Sequence, residues 1–405
     1  MKKSRIGILF LTVVAVAGIN TASAEVFKEE LRLIETSGQF AATIAEKHPG
    51  LLKPVTTFAT ADNESALALV PKDALPLISE EWHQLTNRCG GFIDITHESN
   101  QALLGVDAKP AQKYALPALN GRKQAIVDAL KEIRPDNIRD FVNLYSGAFK
   151  TRNARTPEGQ KAPIWLADKW REMALRHDPK TKITVETLSP PSGYNQPNVR
   201  ITIPGSDPSL PIVIMGGHLD SINGRGGDAP GADDDASGIS ALTEAYRVIL
   251  VSNLKPKATI HIFGYAAEEL GLLGSRTLAE LYQRQGVKVR GALQLDMVAF
   301  PGANGKVTFI VDHIDRELTT WTQQIFGLYD GGEIQEDRCG YACSDHASWT
   351  RYRFASVFPF EAITNQMNSR IHSTRDLWDT QLDAEYAARF AKTAYAFAAE
   401  LSEAQ

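Results

Sequence analysis

The sequence predicts a three-layer α/β/α fold with a mostly parallel, mixed central sheet, preceded by a small α+β unit. Three observations lead there. Beyond Arg122, short apolar runs of strand length alternate with segments of helical periodicity. Most dense clusters of Asp, Glu and His directly follow one of those runs, the position where α/β sheets collect ligands. The segment from Glu25 to Leu104 is sparser, has no dense polar constellation, and leads into a polar, Pro-bearing stretch.

In that first segment Phe27 to His48 reads as a helix and Gly91 to Thr96 as a short strand. Ala108-Lys109-Pro110-Ala111-Gln112-Lys113 has linker character. Helices are expected at Arg122 to Ile133, Asn137 to Tyr145 and Ile164 to Arg176. In the last, Trp165, Leu166, Trp170 and Leu175 fall near helical spacing. Strands follow at Ile183 to Leu188, Val199 to Ile203 and Ile212 to Met215. A helix from Ser237 to Val251 leads to a strand at Ala258 to Tyr265, and one through Leu278 to Arg284 leads to a strand at Ala292 to Met297. Val307 to Val311 (strand), Leu318 to Leu328 (helix), Ser356 to Phe360 (strand) and an Ala-rich helix at Ala384 to Leu401 complete the series.

Composition narrows the class. The 405 residues carry 43 Lys+Arg against 48 Asp+Glu, a net charge of −5, 43% hydrophobic residues, 30 Gly and 20 Pro. Those values exclude a wholly disordered, collagen-like or small disulfide-scaffold protein. Near-balanced charge without a long basic run leaves no electrostatic footprint for nucleic acid. Residues 1–24 read as a signal peptide: Lys2, Lys3 and Arg5 form a basic start, Ile6 to Gly18 an apolar stretch, and Ala22-Ser23-Ala24 a cleavage site before Glu25. The apolar run is short for a membrane span. Secretion, to the periplasm or beyond the cell, is therefore expected, with no membrane attachment after signal removal and a monomeric mature form. Cys339 and Cys343 flank Gly340-Tyr341-Ala342, a spacing a tight turn can close into a disulfide; free thiols or a zinc knuckle are the alternatives. Cys89 is left unmatched.

The polar clusters are Gly216-Gly217-His218-Leu219-Asp220-Ser221, Pro230 to Gly238, Ala266-Ala267-Glu268-Glu269, Gln294-Leu295-Asp296-Met297 and Arg370 to Asp376. Crowding acids and histidines at strand ends is costly unless a cation neutralises them. Two histidines and three carboxylates, one of them shared, suffice for two metals about 3.5–4 Å apart. Mixed imidazole and carboxylate donors suit Zn²⁺, with Mn²⁺ or Co²⁺ as substitutes, whereas Ca²⁺ or Mg²⁺ would not recruit His218 and His372.

Together with Cys339 to Trp349, these motifs in this order resemble the di-zinc aminopeptidases of peptidase family M28, most of all the secreted bacterial leucyl aminopeptidases of Vibrio (Aeromonas) type. The likeness spans Arg122 to Leu401 and implies a zinc-exopeptidase fold for residues 105–405. It implies two Zn²⁺ per chain: Asp234 bridging, Glu269 and His372 on one ion, His218 and Asp296 on the other. Glu268 is implied as general base, Asp220 as the partner that fixes the His218 tautomer, and Tyr341 as an oxyanion stabiliser. Met297, Phe358, Phe360 and Ile371 are candidates for an apolar pocket that takes the first side chain of a peptide with a free N-terminus. The secreted relatives carry a propeptide, which implies one at residues 25–104, covering the metal cleft until cleavage near Leu103 to Gln112. A permanent interaction domain is the rival reading of that segment.

Plainer roles compete for several residues. Asp233 and Asp235 suit helix capping and loop shaping. His346 suits a supporting place, and His261 and His313 ordinary packing. Met297 and Phe360 suit the core, and Tyr341 suits loop packing. As a whole-protein alternative, a glutaminyl-cyclase-type zinc acyltransferase would use the same fold with one zinc; a non-enzymatic ectodomain with a decayed site is the third reading. A serine hydrolase is disfavoured, since no G-x-S-x-G elbow occurs.

Overall fold

A computed structural model describes residues 30–59, 64–86, 88, 90–96 and 113–404. The expected signal peptide, Cys89, the linker through Gln112 and the boundary between residues 104 and 105 lie outside the described residues. Two sheets organise the rest.

The first sheet begins with a difference from the sequence reading. Instead of one helix through Phe27 to His48, Leu31–Ser37 forms strand β1 and only Gly38–Lys47 forms helix α1. The physical reason is a period-two alternation: Arg32, Ile34 and Thr36 are buried while their neighbours are half-buried. All seven residues pair antiparallel with strand β3, Glu64–Pro71. Ser37 then stops the strand and caps the helix, its hydroxyl accepting from the Phe40 N–H at 3.2 Å. With β2 (Lys53–Ala59) and β4 (Phe92–Asp94) the sheet order is β2-β3-β1-β4. Helix α2, Leu75–Thr86, buries Ile78, Ser79, Trp82 and His83. Those positions share one helical face.

The second sheet matches the expected class. Its order is β11-β10-β12-β9-β7-β8-β6-β5, with strands β5 Thr184–Thr187, β6 Val199–Ile203, β7 Ile212–His218, β8 Ile260–Tyr265, β9 Val289–Gln294, β10 Val307–Ile310, β11 Ile334–Asp337 and β12 Ser356–Phe360. The central run β8-β7-β9-β12 is parallel, so its carboxyl ends share one edge. The β10–β12, β6–β8 and β5–β6 pairs are antiparallel, which makes the sheet mixed. β11 escapes sequence reading because it is a largely polar edge strand, Ile-Gln-Glu-Asp, with no buried residue.

Side chains of the central strands divide between two apolar clusters. Val213 and Met215 join one that includes helices α3 (Gln124–Leu130), α4 (Pro135–Gly147), α5 (Ala162–His177), α6 (Ala236–Val251), α8 (Arg316–Tyr329) and α10 (Ala384–Leu401). Ile214 joins the other, with α7 (Leu273–Arg284) and Trp349 of α9 (His346–Arg351). Helices on both faces of a mostly parallel sheet are the expected three layers. The nearly wholly buried α6 and α10 lie against each other, and the alanines of α10 allow the close approach.

Trp170 of α5 ties this layer together. Its side chain is fully buried, and its indole N–H donates to Thr243 Oγ1 of α6 at 2.8 Å. Trp170→Ala should therefore cost about 3–5 kcal/mol of stability, as large-to-small core changes do. Urea unfolding checks this; a shift below about 1 kcal/mol would mean that the cavity collapses freely.

Candidate metal centre

Strand ends of the parallel run place the polar residues. His218 is the last residue of β7, Glu268 and Glu269 follow β8, and Asp296 follows β9. Because those three strands are neighbours, chain-distant side chains meet at one edge. Asp234 stands just before α6, and His372 on the loop beyond β12. Close approach is built into β7: a Cβ on Gly217 would lie 2.8 Å from Asp235 Oδ2 and from the Leu295 carbonyl. Ala267, Met297 and His372 all have positive φ. Left-handed backbone at non-glycine residues costs free energy and gathers at sites where side chains must be aimed.

Asp234 is the hub. Its Oδ1 lies 2.9 Å from His218 Nε2 and its Oδ2 lies 2.9 Å from His372 Nε2. Asp296 Oδ1 is 3.5 Å from His218 Nε2, and Glu269 Oε2 is 3.3 Å from His372 Nε2. Asp220 Oδ1 is 3.4 Å from the other His218 nitrogen and accepts the Glu268 N–H at 3.0 Å. The structure thus brings His218, Asp220, Asp234, Glu268, Glu269, Asp296 and His372 together, all buried.

Supporting contacts explain the neighbouring acids. Asp235 caps α6 through the Gly238 N–H (2.8 Å) and also accepts from the backbone N–H of His218 (3.0 Å) and Met297 (3.2 Å). Asp233 accepts from the Ala299 N–H and from Asn368. Both fit capping and loop shaping. Asp376, given no role by the sequence, accepts from the backbone N–H groups of Asp233 and Asp234. Ser344 donates to Asp296 Oδ2 at 2.6 Å. His346 packs on Phe358 with ring centroids 4.7 Å apart, and His261 Nδ1 meets the Tyr282 hydroxyl at 2.8 Å.

Charge in this enclosure calls for cations. Burial alone would raise Asp234, but His218 and His372 prevail and hold it well below the carboxylate range. For Glu269, burial and Asp234 act upward, yet His372 and His83 bring it down to about 2. Burial opposes charge on His218, but Asp296, Asp220 and Asp234 hold it well above its ordinary value; Glu269 and Asp234 likewise lift His372 to about 10. Burial pushes Glu268 well above the carboxylate range; His218 pulls it down, while Glu269, Asp345 and Asp296 add to the rise.

Donor chemistry at the centre fits zinc. Both Glu268 oxygens, Glu269 Oε1 and Asp296 Oδ1 are buried without a hydrogen-bond partner. Such oxygens are expensive unless something electropositive meets them. Ligand atoms of His218, Asp234 and Asp296 lie within 4.8 Å of one another, as do those of His83, Glu269 and His372 and those of His218, Glu268 and Glu269. Mixed nitrogen and oxygen donors of this kind suit zinc better than an oxygen-seeking cation.

His83 was not expected here. The sequence reading leaves the first segment without any of the site's chemistry, and the structure overturns that. His83 Nε2 lies 2.9 Å from Glu269 Oε2, its ring is 4.4 Å from that of His372, and Ser79 Oγ donates to the Glu269 carbonyl at 2.7 Å. One signal was available: a histidine that shares one face of an amphipathic helix with Ile78, Ser79 and Trp82.

Beside the acids lies an apolar concavity. Met297, Phe358, Phe360 and Ile371 cluster with Cys343, and the first three, with Asp296, Tyr341 and Arg88, line it. Cys339 and Cys343 form a disulfide, with Cα atoms 6.1 Å apart. The Tyr341 ring between them packs on Trp82 of α2, centroids 4.6 Å apart.

Similar proteins share this arrangement of the chain. Residues 198–398 match the sequence pattern of peptidase family M28. A probable leucine aminopeptidase of Trichophyton verrucosum is 31% identical over 338 residues, 82% of this chain and 90% of that one. The crystal structure of the Legionella pneumophila LapA aminopeptidase superposes with TM-score 0.77 at 28% identity, covering 93% of this chain and 99% of that one. A glutaminyl cyclase of Porphyromonas gingivalis, 16% identical with TM-score 0.54 over 66% of this chain and 98% of its own, shares the fold.

Asp235 gives a direct test of the scaffold. Asp235→Ala would orphan three buried N–H groups, each worth about 1–3 kcal/mol. Chelated protein carrying it should unfold at clearly lower denaturant than chelated parent. An unchanged midpoint would mean that these backbone groups find other partners.

Proposed function

The chain belongs to peptidase family M28, and on that premise we propose that it is a secreted di-zinc aminopeptidase that removes apolar, leucine-like residues from peptides with a free N-terminus. The observation that carries this reading is the single carboxylate of Asp234 set 2.9 Å from both His218 and His372, with the bare carboxylate of Glu268 close by. The leucine aminopeptidase relatives support the reaction, and the apolar concavity at Met297, Phe358 and Phe360 supports the side-chain preference.

Asp234, Glu269 and His372 would hold one ion, and Asp234, His218 and Asp296 the other. When bound, the zinc pair supplies Lewis acidity toward the scissile carbonyl and makes water more acidic. The protein's own groups do the rest. Glu268, buried with both carboxylate oxygens free of a hydrogen-bond partner, takes a proton from the attacking water and returns it to the departing amine. Asp220, facing His218 Nδ1, fixes which ring nitrogen is free for the ion. Tyr341 stabilises the developing oxyanion from a loop fixed by the Cys339–Cys343 bond.

Residues 1–24 act as signal peptide and residues 25–104 as propeptide in this reading. Contacts of α2 with Glu269 and Tyr341 support a covering role for that segment. Glutaminyl-cyclase chemistry on one zinc is the alternative, supported by a shared fold but not by a carboxylate placed to serve two ions.

Metal analysis and mutagenesis separate these readings. Protein freed of its N-terminal segment should bind two zinc ions per chain and lose hydrolysis of leucyl amides on chelation, with recovery on zinc add-back; one tight zinc and cyclisation of N-terminal Gln would favour the alternative. Glu268→Ala should keep its metal and lose about 10²–10⁴-fold in turnover. Asp234→Ala should instead lose metal. N-terminal sequencing of the active secreted form should find a start well beyond Glu25; full activity of a form starting at Glu25 counts against the propeptide.

A further inference from the structure

We propose that His83 is itself a metal ligand: the N-terminal unit inserts it beside Glu269 and His372, closing the coordination of the zinc that these two would share with Asp234 and keeping the enzyme latent. This rests on the di-zinc reading above and adds a ligand from outside the motif-bearing part of the chain.

Hydrogen bonding fixes how the His83 ring is used. Its Nδ1 lies 2.6 Å from the Ser79 carbonyl, which can only accept, so Nδ1 carries a proton. Its Nε2 faces Glu269 Oε2 at 2.9 Å. Ligand atoms of His83, Glu269 and His372 all lie within 4.8 Å of one another, so a cation seated among them would meet all three. A histidine whose Nδ1 is tied to a backbone carbonyl and whose Nε2 points into a carboxylate cluster is arranged as a metal ligand.

Ligand arithmetic gives the consequence. Glu269 Oε2 receives His83 Nε2 at 2.9 Å and His372 Nε2 at 3.3 Å, and His372 Nε2 also meets Asp234 Oδ2 at 2.9 Å. Asp234, Glu269 and His372 are three protein ligands, which is the catalytic count for zinc with a position left open. His83 is a fourth, the count of a closed structural site. A closed ion has no place for substrate.

Neighbouring contacts act in the same sense. Trp82 lies on the Tyr341 ring, Gln84 donates to the Gly224 carbonyl at 2.7 Å, and Arg88 lines the apolar concavity. Gly224 in turn donates to the His372 carbonyl. One short stretch from Trp82 to Arg88 thus meets the metal donors, the oxyanion residue and the side-chain pocket together. Farther out, Arg351 pairs with Glu35 at 2.7 Å, and Arg276 donates to the Asp94 carbonyl.

Full-length chain loaded with Co²⁺ tests the proposal, since the visible bands of cobalt report its ligands. The parent spectrum should change in His83→Ala and in His83→Gln, and should change similarly when the parent is cleaved between Thr96 and Lys113 and its N-terminal piece is removed. Trp82→Ala is the control: it loosens packing on Tyr341 but should leave the spectrum as in the parent. In the cleaved, zinc-loaded parent the N-terminal piece should stay bound on a sizing column, and chelation should speed its release by about 10-fold or more, as loss of a metal-site partner does. A spectrum indifferent to both His83 substitutions, equal spectral changes in Trp82→Ala, or release indifferent to zinc would each overturn the proposal. Should the variants fail to fold, the zinc dependence of release in parent protein decides. Zinc-loaded protein freed of its N-terminal piece that hydrolyses no aminoacyl amide would sink the peptidase reading instead, whereas such protein that is active, with a His83-independent spectrum and release, would sink this proposal alone.

Discussion

A buried carboxylate between two imidazoles sets the terms for everything around it. Asp234 must keep one oxygen on His218 and the other on His372, and its own flexible side chain cannot ensure that. Its backbone N–H is therefore held by Asp376, and the next residue, Asp235, ties the ends of β7 and β9 to the start of α6. Asp233, Asp235 and Asp376, which touch no imidazole, have become acceptors for backbone N–H groups. Carboxylates so close together repel, and the fold spends hydrogen bonds to keep them where cations can be shared.

Parallel strands make that economy possible. Neighbouring β8, β7 and β9 end at one edge, so three short excursions beyond the strands bring Glu268, Glu269, His218 and Asp296 within reach of each other. Antiparallel neighbours would have sent alternate ends away. The antiparallel pairs of this sheet lie at its flanks, outside the β8-β7-β9 trio that carries these donors.

Legibility in the sequence followed the same division. Val199–Ile203, Ser356–Phe360 and Ala384–Leu401 coincide with their expected limits, because each is bounded by turn residues and has a strong apolar pattern. The polar clusters after strands were readable because expensive groups were concentrated within a few residues. Two kinds of feature were not. Leu31–Ser37 looks helical by composition, and only its pairing with β3 reveals its period of two. His83 stands alone in its stretch, and its partner Glu269 is 186 residues away, so the contact exists only through tertiary packing. Tyr341 was readable as a loop residue, but not that its ring would lie under Trp82.

Strand β12 bears on the timing of assembly. It lies between β9 and β10 although it is the last strand made, so the nascent sheet has a gap in its middle until the chain is almost complete. His372 follows that strand, and α10, which packs against α6, follows His372. On a ribosome, the unit that carries His83 therefore emerges long before the residues it will meet. A half-made chain displays β9 and β10 with open edges, the state most exposed to wrong pairing with other chains. Insertion of β12 thus closes an aggregation-prone edge, and His372, which follows it, joins the centre only in that same late event.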